Sequence, residues 1–116
     1  MQIHVNTDDS IQGRERLAQW VSTEVSGVLD RFAAQVTRVE VHLADENKGK
    51  AGERDKRCMM EARLAGQQPV AVTQQAPTLE EAVTGAAEKL ERALSSTLGR
   101  LRDQAGRETI RREDEP

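Results

Sequence analysis

A chain of 116 residues has room for one domain with a single modest core. One Trp, one Phe and no Tyr make that core aliphatic, and one Cys excludes an intramolecular disulfide framework or a multi-cysteine metal site. The net charge of −3 speaks against a polyanion partner only on average: residues 47–64 carry +3 and residues 88–107 carry +2, which leaves −8 for the rest.

The first element is a short strand, Met1 to Asn6, with Ile3 and Val5 on one face and Gln2, His4 and Asn6 on the other. Thr7-Asp8-Asp9-Ser10 is a turn rich in capping residues. A helix is expected from there to about Ala34, because Ile11, Ala18, Val21, Val25, Val28 and Phe32 recur at helical spacing, widened by Leu17 and Leu29. Ser10 and Gly13 are both plausible N-caps. Gly27 inside this helix costs roughly 1 kcal/mol against Ala and is read as a mark of close packing.

Residues Val36 to Leu64 read as two strands. Val39, Val41 and Leu43 alternate with Arg38, Glu40 and His42; Cys58, Met60, Ala62 and Leu64 alternate with Arg57, Met59, Glu61 and Arg63. The loop between them, Asp45 to Arg54, is charged, holds Gly49 and Gly52, and is expected to be exposed and mobile. Gly66-Gln67-Gln68-Pro69 leads into a fourth strand with Val70 and Val72 facing the core.

Thr78-Leu79-Glu80-Glu81 is a capping box that opens the last helix. Its apolar stripe, Leu79, Val83, Ala86, Leu90, Ala93, Leu94, Leu98 and Leu101, carries it to about Gln104. At 1.5 Å per residue such a helix spans about 39 Å. A four-stranded sheet is about 20 Å wide, so the helix should overhang. Residues 1–104 are expected as the folded domain and 105–116 as a disordered charged tail.

The order β-α-β-β-β-α implies a right-handed crossover with the first two strands parallel, followed by two hairpins. With one apolar face per strand, both helices cover the same side of a four-stranded mixed sheet. The fold class is a two-layer α+β sandwich.

Chemistry-bearing constellations are sparse. His4 and His42 share the polar sheet face near Asp45, but no third ligand stands at fixed spacing, so no metal site is assigned. Cys58 falls on the apolar face beside Met60 and reads as a small buried hydrophobe. No phosphate loop and no nucleophilic triad is present; neither an enzyme nor a cofactor is expected. No apolar run approaches the ~18 residues of a membrane span, and no secretory signal opens the chain, so a cytoplasmic location is expected.

Binding has better support. Lys89, Arg92, Arg100 and Arg102 turn away from the Leu stripe, with Ser95, Ser96 and Thr97 among them. Cations along a helical rod suit phosphates along a strand, and with no aromatic platform recognition would be by shape and backbone charge. The plainer reading is a solvated face balanced by Glu88, Glu91 and Asp103.

Four segments, in order and spacing, resemble the bacterial hibernation-promoting factor / ribosome-associated inhibitor family. They are Met1-Gln2-Ile3, Val39 to Asn47, Asp55-Lys56-Arg57-Cys58 with Glu61-Ala62-Arg63-Leu64, and Glu88 to Leu94. The resemblance covers about residues 1–104 and implies the same β-α-β-β-β-α order. It implies a partner, the small ribosomal subunit (16S rRNA), occupied in the channel used by mRNA and tRNA anticodon stems. No membrane partner is expected, and the chain is expected to be a monomer away from the ribosome. Carried onto this chain, it implies RNA contact for Lys89, Arg92 and Arg100, and more weakly for Arg102, Lys56, Arg57 and Arg63. With no room for the C-terminal domain of long forms, the chain resembles a short form.

The chain departs from the family pattern in two places. Helix 1 has Glu24 and Gly27 where relatives carry lysines, and the middle of helix 2 is Ser96-Thr97-Leu98. Fewer phosphate contacts mean weaker binding and a shallower salt dependence. The alternative is a diverged protein-interaction or regulatory module on the same fold, without ribosome binding.

Overall fold

In the computed structural model, strand β1 (Gln2–Thr7) half-buries Ile3 and Val5 toward the helices and exposes Gln2, His4 and Asn6 on the other face. The structure describes residues 1–8, 11, 13–46 and 56–114, with side chains as far as Gly106. β2 (Val36–Asp45) and β3 (Lys56–Leu64) form the centre of the sheet and β4 (Val70–Ala76) its far edge, in the order β1-β2-β3-β4. β1 runs parallel to β2, and the other two pairs are antiparallel. These are the orientations that the crossover and the two hairpins require.

The register stacks the apolar positions. Ile3 lies opposite Val39 and Val5 opposite Val41; across the central pair, Val39 meets Ala62, Val41 meets Met60 and Leu43 meets Cys58. A slip of one residue would turn all of them to solvent, so burial rules out any odd shift of the register.

Helix α1 (Arg14–Leu29) covers the β1 side with Val21, Val25 and Leu29, and helix α2 (Leu79–Asp114) covers β3 and β4 with Val83, Ala86, Ala87, Leu90 and Leu94. Both lie on the same side of the sheet, and the α+β sandwich expected from the alternation is the observed one. The helices run parallel: Trp20 and Leu17 share a cleft with Leu79 and Glu80, while Arg31, beyond the end of α1, reaches Glu91 and Ser95. Thr78 caps α2, its Oγ1 accepting from the Glu81 N–H at 3.1 Å.

Two expectations about the helix ends need correction. Helix 1 stops at Leu29, and a 3-10 turn over Asp30–Phe32 follows, because Phe32 must turn inward to reach the core. Helix 2 does not end near Gln104 but continues to Asp114. That stretch is rich in Arg and Glu, which are good helix formers. The expected mobile loop, Asp45 to Arg54, lies outside the described residues from position 47 onward, as does Ser10. The N-cap is Gly13 at φ 67°, a left-handed conformation that favours glycine.

Gly27 is also not a packing position. It is exposed, and nothing lies within 4 Å of where a Cβ would stand. Gly27→Ala is therefore expected to stabilise the protein by about 0.5–1 kcal/mol, read as a higher urea midpoint at unchanged slope. A lower midpoint would show that the small side matters.

Cys58 is fully buried, and burial pushes its thiol up to about 12. The thiolate is the reactive species. In the folded chain Cys58 is expected to resist iodoacetamide at pH 8 for hours and to be alkylated fully once urea unfolds the core, as intact mass will show.

Candidate nucleic-acid interface

α2 sorts its residues by the helical period. Leu90 and Leu94 face the sheet, and the opposite arc holds Lys89, Arg92, Ser96 and Arg100. At 100° per residue Lys89 and Arg100 fall about 20° apart and Arg92 about 60° to one side. The three cations form one exposed strip roughly 17 Å long.

Each is held differently. Lys89 Nζ donates to the Thr73 carbonyl at 3.0 Å, which anchors the ammonium over the edge of β4 and leaves two N–H groups outward. Arg100 Nη2 donates to Thr97 Oγ1 at 3.4 Å, one turn back on the same helix. Arg92 has neither a hydrogen bond nor an ion pair among the described residues. Asp103 interrupts the strip near its far end. Charge along α2 is graded, with Glu80 and Glu81 in the first turn and Arg100 and Arg102 in the distal half, an order that also complements the helix dipole.

Arg102 does not join the strip. It lies on the other flank of α2, in a cleft of about 450 Å³ floored by Phe32, Leu98 and Leu101. Arg31 stands across that cleft, its guanidinium over the Phe32 ring at 4.5 Å, donating from Nη2 to Ser95 Oγ at 3.0 Å and lying 3.9 Å from Glu91.

The strand cations are placed elsewhere. Arg57 and Arg63 point to the open sheet face, away from the helices, where they pair with Glu46 (3.8 Å) and Glu61 (3.3 Å). Lys56, at the start of β3, pairs with Asp45 at 3.1 Å. On the same open face Arg38 pairs with Glu40. Burial alone would raise the Glu40 carboxyl, but the Arg38 charge and hydrogen bonds from Asn6 and Arg38 outweigh it and hold the group below its ordinary value. Paired this way, the face projects little net field. His4 lies opposite Glu40 and His42 opposite Asn6 in the register, and among the described residues no three potential ligands gather.

Sequence reasoning thus brought together residues that the fold separates into three surfaces, and it passed over three others. Arg16, Trp20 and Arg31 are exposed on the outer surface of the helix layer, Trp20 at 37%. The signal for Trp20 was present: it is the one large aromatic off the apolar stripe of α1. No helix among the described residues is long and apolar enough to cross a membrane.

A family model described as sigma 54 modulation protein / S30EA ribosomal protein matches residues 4–102. Among solved structures, the chain is similar to the N-terminal domain of Protein Y from Thermus thermophilus. That likeness has 20% identity, covers 79% of this chain and 93% of that one, and gives a TM-score of 0.63. It is also similar to a ribosomal subunit interface protein from Coxiella burnetii, with 13% identity, coverage of 85% and 99%, and a TM-score of 0.62. At such identities the likeness is one of fold. No curated protein matches the chain by sequence.

Proposed function

The chain belongs to the sigma 54 modulation protein / S30EA ribosomal protein family, and from that premise we propose that it is a non-enzymatic, ribosome-associated translation inhibitor of the cytoplasm. It binds the small subunit in the decoding channel, as a hibernation factor, through contacts to the 16S rRNA backbone. The observation that carries this reading is the family match over residues 4–102.

Arg92 and Arg100 make the principal phosphate contacts, with Lys89 beside them. Arg102 and Arg31 extend the surface around the flank of α2. Lys56, Arg57 and Arg63 act only at a second surface, since each spends its charge on a neighbouring carboxylate. Three contacts on the strip correspond to a log–log salt slope of about −2, at roughly 0.7 per contact. Competition tests the placement. The chain should displace both mRNA and a tRNA anticodon stem from isolated small subunits; binding that leaves both in place would put it outside the channel.

The paired strand arginines favour a second reading, in which the fold serves as a protein-interaction module. That reading expects a partner whose capture survives nuclease treatment, together with no RNA in the captured material.

A further inference from the structure

The two outer edges of the sheet are finished differently. In β4 the pairs Cys58–Gln74 and Met60–Val72 turn the even-numbered residues toward β3, so Ala71, Thr73 and Gln75 present N–H and C=O outward. Two of those carbonyls are occupied: Thr73 by Lys89 Nζ and Gln75 by Gln74 Nε2, each at 3.0 Å.

β1 has no such cover. The Asp8 N–H donates to the Leu43 carbonyl at 3.1 Å, just past the Thr7–Leu43 pair. Carried back along the parallel ladder, that bond directs His4 and Asn6 toward β2 and leaves Ile3, Val5 and Thr7 facing outward. Their backbone groups have no partner among the described residues. The strand, QIHVNT, contains no charged residue and no proline, the usual devices against edge pairing. Beside it Ile3 and Val5 line a cleft against Ala18, Gln19, Ser22 and Thr23 of α1, a flank of small and uncharged side chains.

We propose that β1 is a self-pairing edge: two copies of this chain join β1 to β1, antiparallel, about a twofold axis through Val5. In that register Val5 faces Val5, and Ile3 faces Thr7 on both sides of the axis. Every outward N–H and C=O of the strand then has a partner. A shift by one residue sets outward residues against inward ones, and a shift by two leaves either Ile3 or Thr7, according to its direction, without an outward residue of the strand to face. The apolar side chains of both copies fall on the helix side, where Ala18 and Ser22 leave room for a second α1 to approach. A second copy is the occupant because the strand is its own complement and, being uncharged, exerts no field that would select a charged partner. An interface built on a six-residue strand sits at the small end of the size range. The association is concentration-dependent, with Kd between about 1 µM and 1 mM. The monomer expected from the sequence is the low-concentration form.

Sedimentation velocity of the full chain between about 1 µM and 1 mM should show the mass rise from 12.9 kDa toward twice that value. Over the same range, amide exchange should slow at Ile3, Val5 and Thr7 and stay unchanged at His4 and Asn6. Val5→Pro removes the central outward donor without taking a bond from the β1–β2 ladder, and its dimer should be lost throughout. A mass fixed at 12.9 kDa at the highest concentration overturns the proposal, as does a dimer in which Ile3, Val5 and Thr7 still exchange freely. The wild-type exchange pattern decides whether or not the proline variant folds.

Discussion

Replacing both Arg92 and Arg100 by glutamate is expected to lower affinity for the small subunit about tenfold to a hundredfold at low salt. It should also flatten the log–log salt slope from about −2 to about −0.7, since two of three phosphate contacts are removed. Both side chains are exposed, and within the protein the double substitution breaks the 3.4 Å hydrogen bond from Arg100 to Thr97 and leaves the core untouched. The circular-dichroism spectrum and the urea midpoint should therefore stay within error. Lys89 is left out of the pair because its ammonium caps the Thr73 carbonyl. Removing it would mix a broken edge hydrogen bond, worth roughly 0.5–1.5 kcal/mol, with the missing charge. If the double variant binds as well as the wild type across the salt series, the strip is not the contact surface.

Leu90→Ala is expected to cost about 2–5 kcal/mol of folding stability. Leu90 is fully buried on the face of α2 that packs against β3 and β4. A small domain with a total stability of roughly 5–15 kcal/mol has little room for such a cavity. Urea denaturation should show a lower midpoint with the slope retained, and binding should fall with the folded fraction because α2 carries the strip. Leu98→Ala, half-buried beyond the sheet, should cost clearly less. Equal losses at the two positions would mean that the overhanging part of α2 is covered as fully as its centre.

These expectations depend on features that differ in how legible they were in the sequence. The sheet was readable because alternation has only one solution for each strand once a face must be buried: Val39, Val41 and Leu43 on β2 and Cys58, Met60 and Ala62 on β3 go inward, while which of them meet across the pair is a tertiary fact. The parallel first pair followed from the crossover, and the capping box placed the start of α2 correctly at Thr78. Helix ends were less legible. A 3-10 turn at Asp30–Phe32 keeps the apolar spacing of a helix for one more turn, so periodicity could not see the break. The far end of α2, to Asp114, follows the last residue of the apolar stripe, so periodicity gave nothing there to follow.

The site was legible only along a single element. Helical arithmetic grouped Lys89, Arg92 and Arg100 correctly because they share one rod. Strand alternation turned Arg57 and Arg63 to the face away from the helices, but it had no means of pairing them with Glu46 and Glu61. Spacing also could not bring Arg31, on a turn after α1, across from Arg102 on α2; that juxtaposition comes from the parallel packing of the two helices. A cation's role depends on its neighbours across elements, and those are tertiary facts.

Co-sedimentation with purified small subunits across a salt series tests the central claim most directly. The chain should travel with the particles at about 50 mM salt and be released progressively toward about 200 mM, with a slope near −2. A chain that stays at the top of the gradient at the lowest salt, while folded by circular dichroism, would contradict ribosome binding outright.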